Sequence, residues 1–327
     1  MLYQFCRARR DAPRLDHAEL DGLPADLAWF DLFEPTPEEI RAVERTLGVE
    51  MPTRDEMRDI EASARVYEEN EALYMTATVL HRSETLPPQT TEISFVLKGE
   101  HLVTMRYADP QPFRTLSAKL ERHGPGLGNG TAAFFWLLDG LVARVADMME
   151  RVALDLDALS GEIFGAARRP NDRERPDLVE ALERIGRNGD AISKASESLH
   201  TFHRILLAVS TSDALPQGQR KDARQRAKAL NRDVLSLTDQ IGRVNTKIDL
   251  LLNATLGLIN IEQNAIIKIF SVVAVVFLPP TLIASIYGMN FEVMPELRWE
   301  IGYPIAIALM VLSAALPIAY FKRKGWL

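Results

Sequence analysis

The chain has 327 residues, 47% of them hydrophobic and 25% charged, with a formal net charge of −7. That length accommodates one soluble domain together with helical and membrane segments. A single cysteine, Cys6, excludes an intrachain disulfide framework and fits a reducing compartment, and the acidic balance argues against nucleic acid as a partner.

The charge is uneven. Residues 1–130 hold 23 acids against 15 bases, whereas 213–268 hold 6 acids and 9 bases. The acidic part is compatible with cations, although an ordinary solvated surface accounts for most of it.

Residues 1–115 alternate strand and helix signals. Trp29–Phe33 reads as a short strand. Thr36-Pro37-Glu38-Glu39 then opens a helix, with Thr36 as N-cap, Pro37 in the first turn and Glu39 closing a capping box. Thr53 and Glu56 repeat the box before DEMRDIEASAR, which predicts a second helix. Ala72–Leu80, Glu92–Leu97 and His101–Tyr107 are rich in β-branched and aromatic residues, and Lys98-Gly99 joins the last two as a hairpin. The whole reads as a small α/β domain over 1–130.

The loop GPGLGNG, Gly124–Gly130, precedes a helix but follows a helical stretch and lacks the Gly-Lys-Ser/Thr ending of a phosphate cradle; it reads as a linker. From Thr131 the pattern is helical, with Phe134, Leu137, Leu138, Leu141, Val145, Met148, Met149, Val152, Leu156, Leu159 and Ile163 at steps of three and four. Arg168–Pro176 breaks it, and a second helix runs from about Asp177 to Val209. His200 and His203 stand one turn apart on it, without the acid or cysteine that would complete a metal set; a surface or packing role is favoured. After a break at Thr211–Gly218 a third stretch runs without proline until Pro279. A helix of about 60 residues is roughly 90 Å long and cannot bury itself in one small domain, so 131–268 predicts long helices and a stalk or bundle between subunits. No nucleophile elbow, zinc-protease motif or dinucleotide fingerprint appears, so an enzyme is not expected.

Two uncharged runs close the chain: Ile269–Phe291, 23 residues, and Ile301–Phe321, 21 residues. Each is long enough to span a bilayer core, and neither is placed as a cleaved signal peptide. The tail Lys322-Arg323-Lys324 is basic, while the connector 292–300 holds Arg298 against Glu292, Glu296 and Glu300. The excess of basic residues belongs in the cytoplasm, which puts both termini inside and the connector outside. Tyr287, Trp299, Tyr303 and Trp326 fall near the span ends, where amphipathic aromatics settle in lipid.

The first span carries a stripe. Asn264, Ile267, Phe270, Ala274, Leu278, Thr281 and Ser285 follow at steps of three or four, within an arc of about 120° at roughly 100° per residue. The stripe opens with an amide, closes with hydroxyls and is apolar between. It reads either as a pore face or as ordinary helix packing in a membrane. Pro279-Pro280 interrupts the backbone ladder of the same span. One chain with two spans cannot enclose a water-filled path, so a pore requires a ring of identical subunits, the assembly that the stalk also asks for.

Gly288-Met289-Asn290-Phe291-Glu292 followed by Met294-Pro295-Glu296-Leu297 resembles the signature loop of the CorA magnesium transport family. The resemblance takes in IEQNAIIKIFSVVAVVFLPPTLIASIYGMN, the Gly302–Pro304 segment and the C-terminal FKRKGWL, and reaches back to FDLFEP (Phe30–Pro35) and DIEASAR (Asp59–Arg65). It implies a funnel-shaped homopentameric ion channel: an α/β cytoplasmic domain, a long helical stalk and two C-terminal transmembrane helices. Its expected substrate is Mg²⁺, with Co²⁺ and Ni²⁺ as further transported ions, across a bacterial inner membrane. By position, Gly288, Met289 and Asn290 form the selectivity filter, and the stripe lines the path inward. The family also places regulatory Mg²⁺ between cytoplasmic domains, and Asp59 and Asp233 stand at or near such positions.

An amide at the mouth suits Mg²⁺, which is octahedral and dehydrates reluctantly, because hydrogen bonds to its water shell select it without stripping it. Glu292, Glu296 and Glu300 then raise the local cation concentration outside. The alternatives are a Zn²⁺ transporter of the same superfamily and a membrane-anchored binding protein without transport.

Overall fold

The computed structural model describes residues 1–6, 27–59, 61, 65–82, 87–123, 128–168, 177–290 and 294–326. The chain divides into two compact units, Met1–Leu252 and Asn253–Leu327.

The first unit is built on a six-stranded mixed sheet. Its strands are β1 (Leu2–Cys6), β2 (Leu27–Phe33), β3 (Val66–Glu69), β4 (Ala72–His81), β5 (Gln89–Lys98) and β6 (His101–Arg106), in the order β1-β2-β6-β5-β4-β3. Only β2 and β6 run parallel, with Asp31 opposite Thr104 and Phe33 opposite Arg106; the other pairs are antiparallel. The expected β2, β4, β5 and β6 all form, while β1 and β3 were not foreseen.

Helix α1 (Pro37–Leu47) starts at the expected capping box: the Glu39 amide donates to Thr36 Oγ1, and the Glu39 carboxylate accepts from the Thr36 amide at 2.8 Å. The second box also closes, with the Thr53 amide donating to Glu56 at 2.7 Å, but only a single 3₁₀ turn, Glu56–Arg58, follows. Asp59 leaves that turn extended (φ −60°, ψ 135°). The 3₁₀ turn ends at Arg58, so the expected helix is interrupted at Asp59; Arg65, the last residue of DEMRDIEASAR, is helical, and residues 60 and 62–64 lie outside the described residues.

The sheet is covered on both faces. On one, Phe30, Leu32, Val103 and Met105 pack with Val43, Val49, Met51 and Met57. On the other, Trp29 meets Phe113 of α2 (Gln111–His123) at 6.1 Å, and Phe95 meets Phe134 of α3 (Gly130–Arg168) edge-on at 5.6 Å. All eleven apolar positions read as the inner stripe of α3 are buried. Gly130 cannot be larger: a Cβ there would stand 2.3 Å from the Leu102 amide nitrogen. Within the described part of the glycine loop, the Asn129 side chain accepts from the Ala132 amide at 2.8 Å, so the loop caps a helix, as a linker should.

Asp177 caps α4 (Leu178–Thr211) through its carboxylate. Arg184 on α4 reaches Asp155 at 2.5 Å and Glu162 at 3.0 Å on α3, and Asn188 donates to Asp155 at 2.6 Å. His203 contacts Asn231 at 2.7 Å on α5 (Gln217–Tyr287), a packing contact, and His200 is exposed. The Lys247 ammonium on α5 pairs with Asp157 on α3.

The second unit holds the rest of α5 and α6 (Gly302–Arg323), joined through a 3₁₀ turn, Pro295–Arg298. Both helices are long and apolar enough to cross a membrane. The Lys268 ammonium lies 5.8 Å from the Trp326 ring, which brings the chain beyond α6 back to α5, so the two helices form an antiparallel pair.

Candidate functional site

The stripe on α5 is bare. Asn264, Ile267, Phe270, Ala274, Leu278, Thr281 and Ser285 are all exposed, with Ile267 at 61%, Phe270 at 72% and Leu278 at 67%. Val272 is only 6% exposed, and Val276, Pro279, Pro280 and Ile283 are partly covered. At about 100° per residue these five share the side of the helix opposite the stripe. On α6 the buried positions are Gly302, Ala306 and Phe321. One face of α5 is thus used within the chain, and the striped face has no cover from it.

α5 stays helical through Pro279-Pro280, although two amide donors are missing there. The Thr281 hydroxyl donates to the Phe277 carbonyl at 2.7 Å, and the Ser271 hydroxyl to Ile267 at 2.8 Å. The helix ends at Tyr287, before the end of the uncharged run. The Gly288 amide still bonds the Ala284 carbonyl at 2.9 Å, and Met289 bonds Ile286 at 3.3 Å. A Cβ on Gly288 would crowd the Ala284 carbonyl at 3.1 Å, so a glycine eases this exit. Met289 and Asn290 follow in irregular, exposed backbone. Glu300 is exposed; Glu292 and the side chain of Glu296 lie outside the described residues.

The chain belongs to the CorA-like Mg²⁺ transporter family. Its sequence profile, described as CorA-like Mg²⁺ transporter protein, matches residues 24–323. The magnesium transport protein CorA of Pectobacterium atrosepticum is 37% identical over 314 residues, 96% of each chain. That of Salmonella typhimurium is 36% identical over 327 residues, the full length of both. Among solved structures, the CorA magnesium transporter of Methanocaldococcus jannaschii covers 100% of this chain and 99% of its own, with a TM-score of 0.73 at 21% identity, which shows a shared fold. The resemblance read from the signature loop and its flanks is thereby shown, as is the fold class: an α/β soluble domain, a long helix and two C-terminal apolar helices.

In this CorA-family chain the two acids singled out for regulation are far simpler than a metal centre. Asp59 is exposed, and its carboxylate accepts from the Glu61 amide at 3.4 Å. Asp233 is exposed on α5, at the edge of a cavity of about 580 Å³ that Trp136, Asp139 and Arg226 also line. Among the described residues no group of three or more His, Cys, Asp or Glu side chains could hold a metal ion. Mg²⁺ keeps several waters and takes one or two carboxylates, so single acids of this kind suit it where a second chain supplies the partner.

Two features escaped the sequence reading. Trp326, read only as a membrane-interface aromatic, stacks on Phe321 at 5.4 Å while receiving Lys268. No spacing rule signals that contact. Between strands β2 and β6, Arg106 makes three hydrogen bonds to the buried Asp31 carboxylate at 2.8–3.1 Å and another to Asp109 at 2.8 Å. Burial alone would weaken the Arg106 guanidinium's hold on its proton, but Asp31 outweighs it and keeps the group above the ordinary arginine value.

Proposed function

We propose that this chain is one subunit of a homopentameric channel that carries Mg²⁺ into the cell across a bacterial inner membrane, with Co²⁺ and Ni²⁺ as further ions. The carrying observation is the uncovered stripe on α5, opposite the Val272 face and leading to Gly288-Met289-Asn290. A ring of chains that turns this face inward gives each of its residues a partner or a path, which one chain does not. Exposed Leu235 and Leu250 on the earlier part of α5 likewise call for neighbouring copies.

On this reading residues 1–130 and 131–268 are cytoplasmic domain and stalk, 269–291 and 301–321 the spans, 292–300 the outer connector and 322–327 a basic inner tail. Gly288, Met289 and Asn290 form the filter, where one amide oxygen per subunit accepts from the water shell of the ion. Carboxylates in that ring would hold a divalent ion too tightly to release it. Glu292, Glu296 and Glu300 concentrate cations outside. Ile267, Phe270, Ala274 and Leu278 make an apolar stretch that conducts only when wide enough to wet. Internal Mg²⁺ shared by Asp59 of one subunit and Asp233 of the next favours the closed arrangement, through its differential affinity for that state. No catalytic step is assigned.

The test is ion flux through the purified protein in liposomes, compared for Mg²⁺, Co²⁺, Ni²⁺ and Zn²⁺. Mg²⁺ flux is expected. Zn²⁺ flux without Mg²⁺ flux would favour the Zn²⁺-transporting alternative, and no flux of any ion would favour a non-transporting anchor.

A further inference from the structure

Arg65 is a charged side chain only 8% exposed, and no carboxylate pairs with it among the described residues. Its Nε donates to the main-chain carbonyl of Asp59 at 2.5 Å, and its Nη1 donates to Thr78 Oγ1 on β4 at 2.8 Å. A buried guanidinium is expensive unless it is hydrogen-bonded, so this geometry is held firmly or not at all. Asp59 is fixed from its other side as well, its amide donating to the Glu56 carbonyl at 3.1 Å. Its backbone is therefore pinned at both ends of the residue while its carboxylate stays exposed.

We infer that Arg65 is the positioning residue for the Asp59 carboxylate: it ties the loop carrying that acid to strand β4, so that the acid is presented to a divalent cation without having to be ordered on binding. This rests on the reading of Asp59 as part of a cation-sensing site and adds what holds it there. Pre-organisation of this kind raises affinity by removing an ordering cost. Arg65 does not touch the ion, and its positive charge works against binding. The two effects have opposite signs, which makes them separable. Loss of positioning weakens cation binding when Arg65 is removed; relief of repulsion would strengthen it.

The experiment follows protection of the purified full-length protein from trypsin as Mg²⁺ is titrated, alongside closure of flux in liposomes. Arg65→Met is expected to raise the Mg²⁺ concentration for half-protection roughly three- to tenfold, as for one lost hydrogen bond. Arg65→Lys, which keeps the charge but cannot reach both acceptors with a planar fork, is expected to shift it in the same direction; it also serves if the methionine variant does not fold. Thr201→Val is the control, because Thr201 Oγ1 bonds the Thr78 backbone in the same region without touching Arg65. It is expected to lower thermal stability and leave the midpoint in place. An unchanged or lowered midpoint in both Arg65 variants overturns the inference, as does an equal rise in Thr201→Val. Asp59→Asn separates the two levels: if it leaves the midpoint unchanged, the sensing site itself is wrong. If it shifts the midpoint while the Arg65 variants do not, only the positioning role fails.

Discussion

Arg106→Met tests whether the α/β unit depends on the buried Asp31–Arg106 ion pair. Asp31 is 1% exposed and Arg106 4%, and their strands lie side by side in parallel register. The substitution removes three hydrogen bonds to Asp31, one to the Ala108 carbonyl and one to Asp109. It leaves the Asp31 carboxylate buried with the Thr104 hydroxyl, which donates to it at 2.8 Å and itself accepts from the Trp29 indole at 2.9 Å. The guanidinium also lies over Phe33 at 4.3 Å and Phe113 at 4.7 Å, contacts that the methionine keeps in part. Removing one partner of a buried pair costs about 3–5 kcal/mol, because the other charge is left uncompensated. For a unit of this size that corresponds to a fall in Tm of roughly 6–20 °C, at about 2–4 °C per kcal/mol. The assay is thermal unfolding of the full chain in detergent, followed by near-ultraviolet circular dichroism. The double variant Asp31→Leu with Arg106→Met is expected to recover much of the loss, since no charge remains buried. A fall of under about 2 °C for the single variant, or no recovery in the double, refutes the reasoning.

Asn290→Ala is expected to abolish Mg²⁺ flux in liposomes while leaving the oligomer intact by size; near-normal flux at normal expression would sink the filter assignment. Asp59→Asn combined with Asp233→Asn should give a channel that stays open as internal Mg²⁺ is raised to about millimolar levels, and closure along the wild-type curve would remove both acids from the sensor. Burial would raise the Asp155 carboxyl, but hydrogen bonds from Arg184 and Asn188 outweigh it and hold the group below its ordinary value of 3.8. A depressed carboxylate stabilises the fold above the unfolded value and loses that contribution as pH falls through the folded one. Asp155→Asn should therefore lower Tm at pH 7, with the gap to the wild type shrinking only as pH falls below 3.8 through the depressed folded value; a gap independent of pH would show that the charge is not what matters.

The parts of the fold legible in the sequence are those governed by nearest neighbours. A capping box acts within four residues, and both boxes formed. What the box at Thr53 could not reveal was how far the helix would run, because propagation depends on burying an apolar face. Of Glu56–Arg58 only Met57 is buried, and Asp59 turns away extended, its amide donating to the Glu56 carbonyl and its own carbonyl accepting from Arg65. β3 was missed for a related reason: Val66–Glu69 ends in two acids and pairs only with β4 at the sheet edge, where charge is common and the alternating signal is weak. Asp31 and Arg106 are 75 residues apart, and only the parallel register of their strands brings them together.

The stripe was legible for the opposite reason: the helical period operates inside one element, so seven positions could be placed on a single face without knowing anything else. The sequence left open whether that face packs or conducts, since small and hydroxylated residues suit both. Packing within the chain is now accounted for by the Val272 side, which leaves the stripe for something outside it. Thr281 then takes on a definite polarity. Its hydroxyl proton is committed to the Phe277 carbonyl, so what it can offer toward the striped face is a lone pair. A hydrated cation presents only donors through its water shell. A hydroxyl tied back to its own helix and an amide oxygen at the outer turn are therefore acceptors of the same sense. Between them and Asn264 lies side-chain surface with no hydrogen-bonding group on Ile267, Phe270, Ala274 or Leu278. On the proposed pore reading, an ion that keeps its waters would be helped at the outer end of such a face and opposed in its middle, and selection and gating would fall at different heights on one helix.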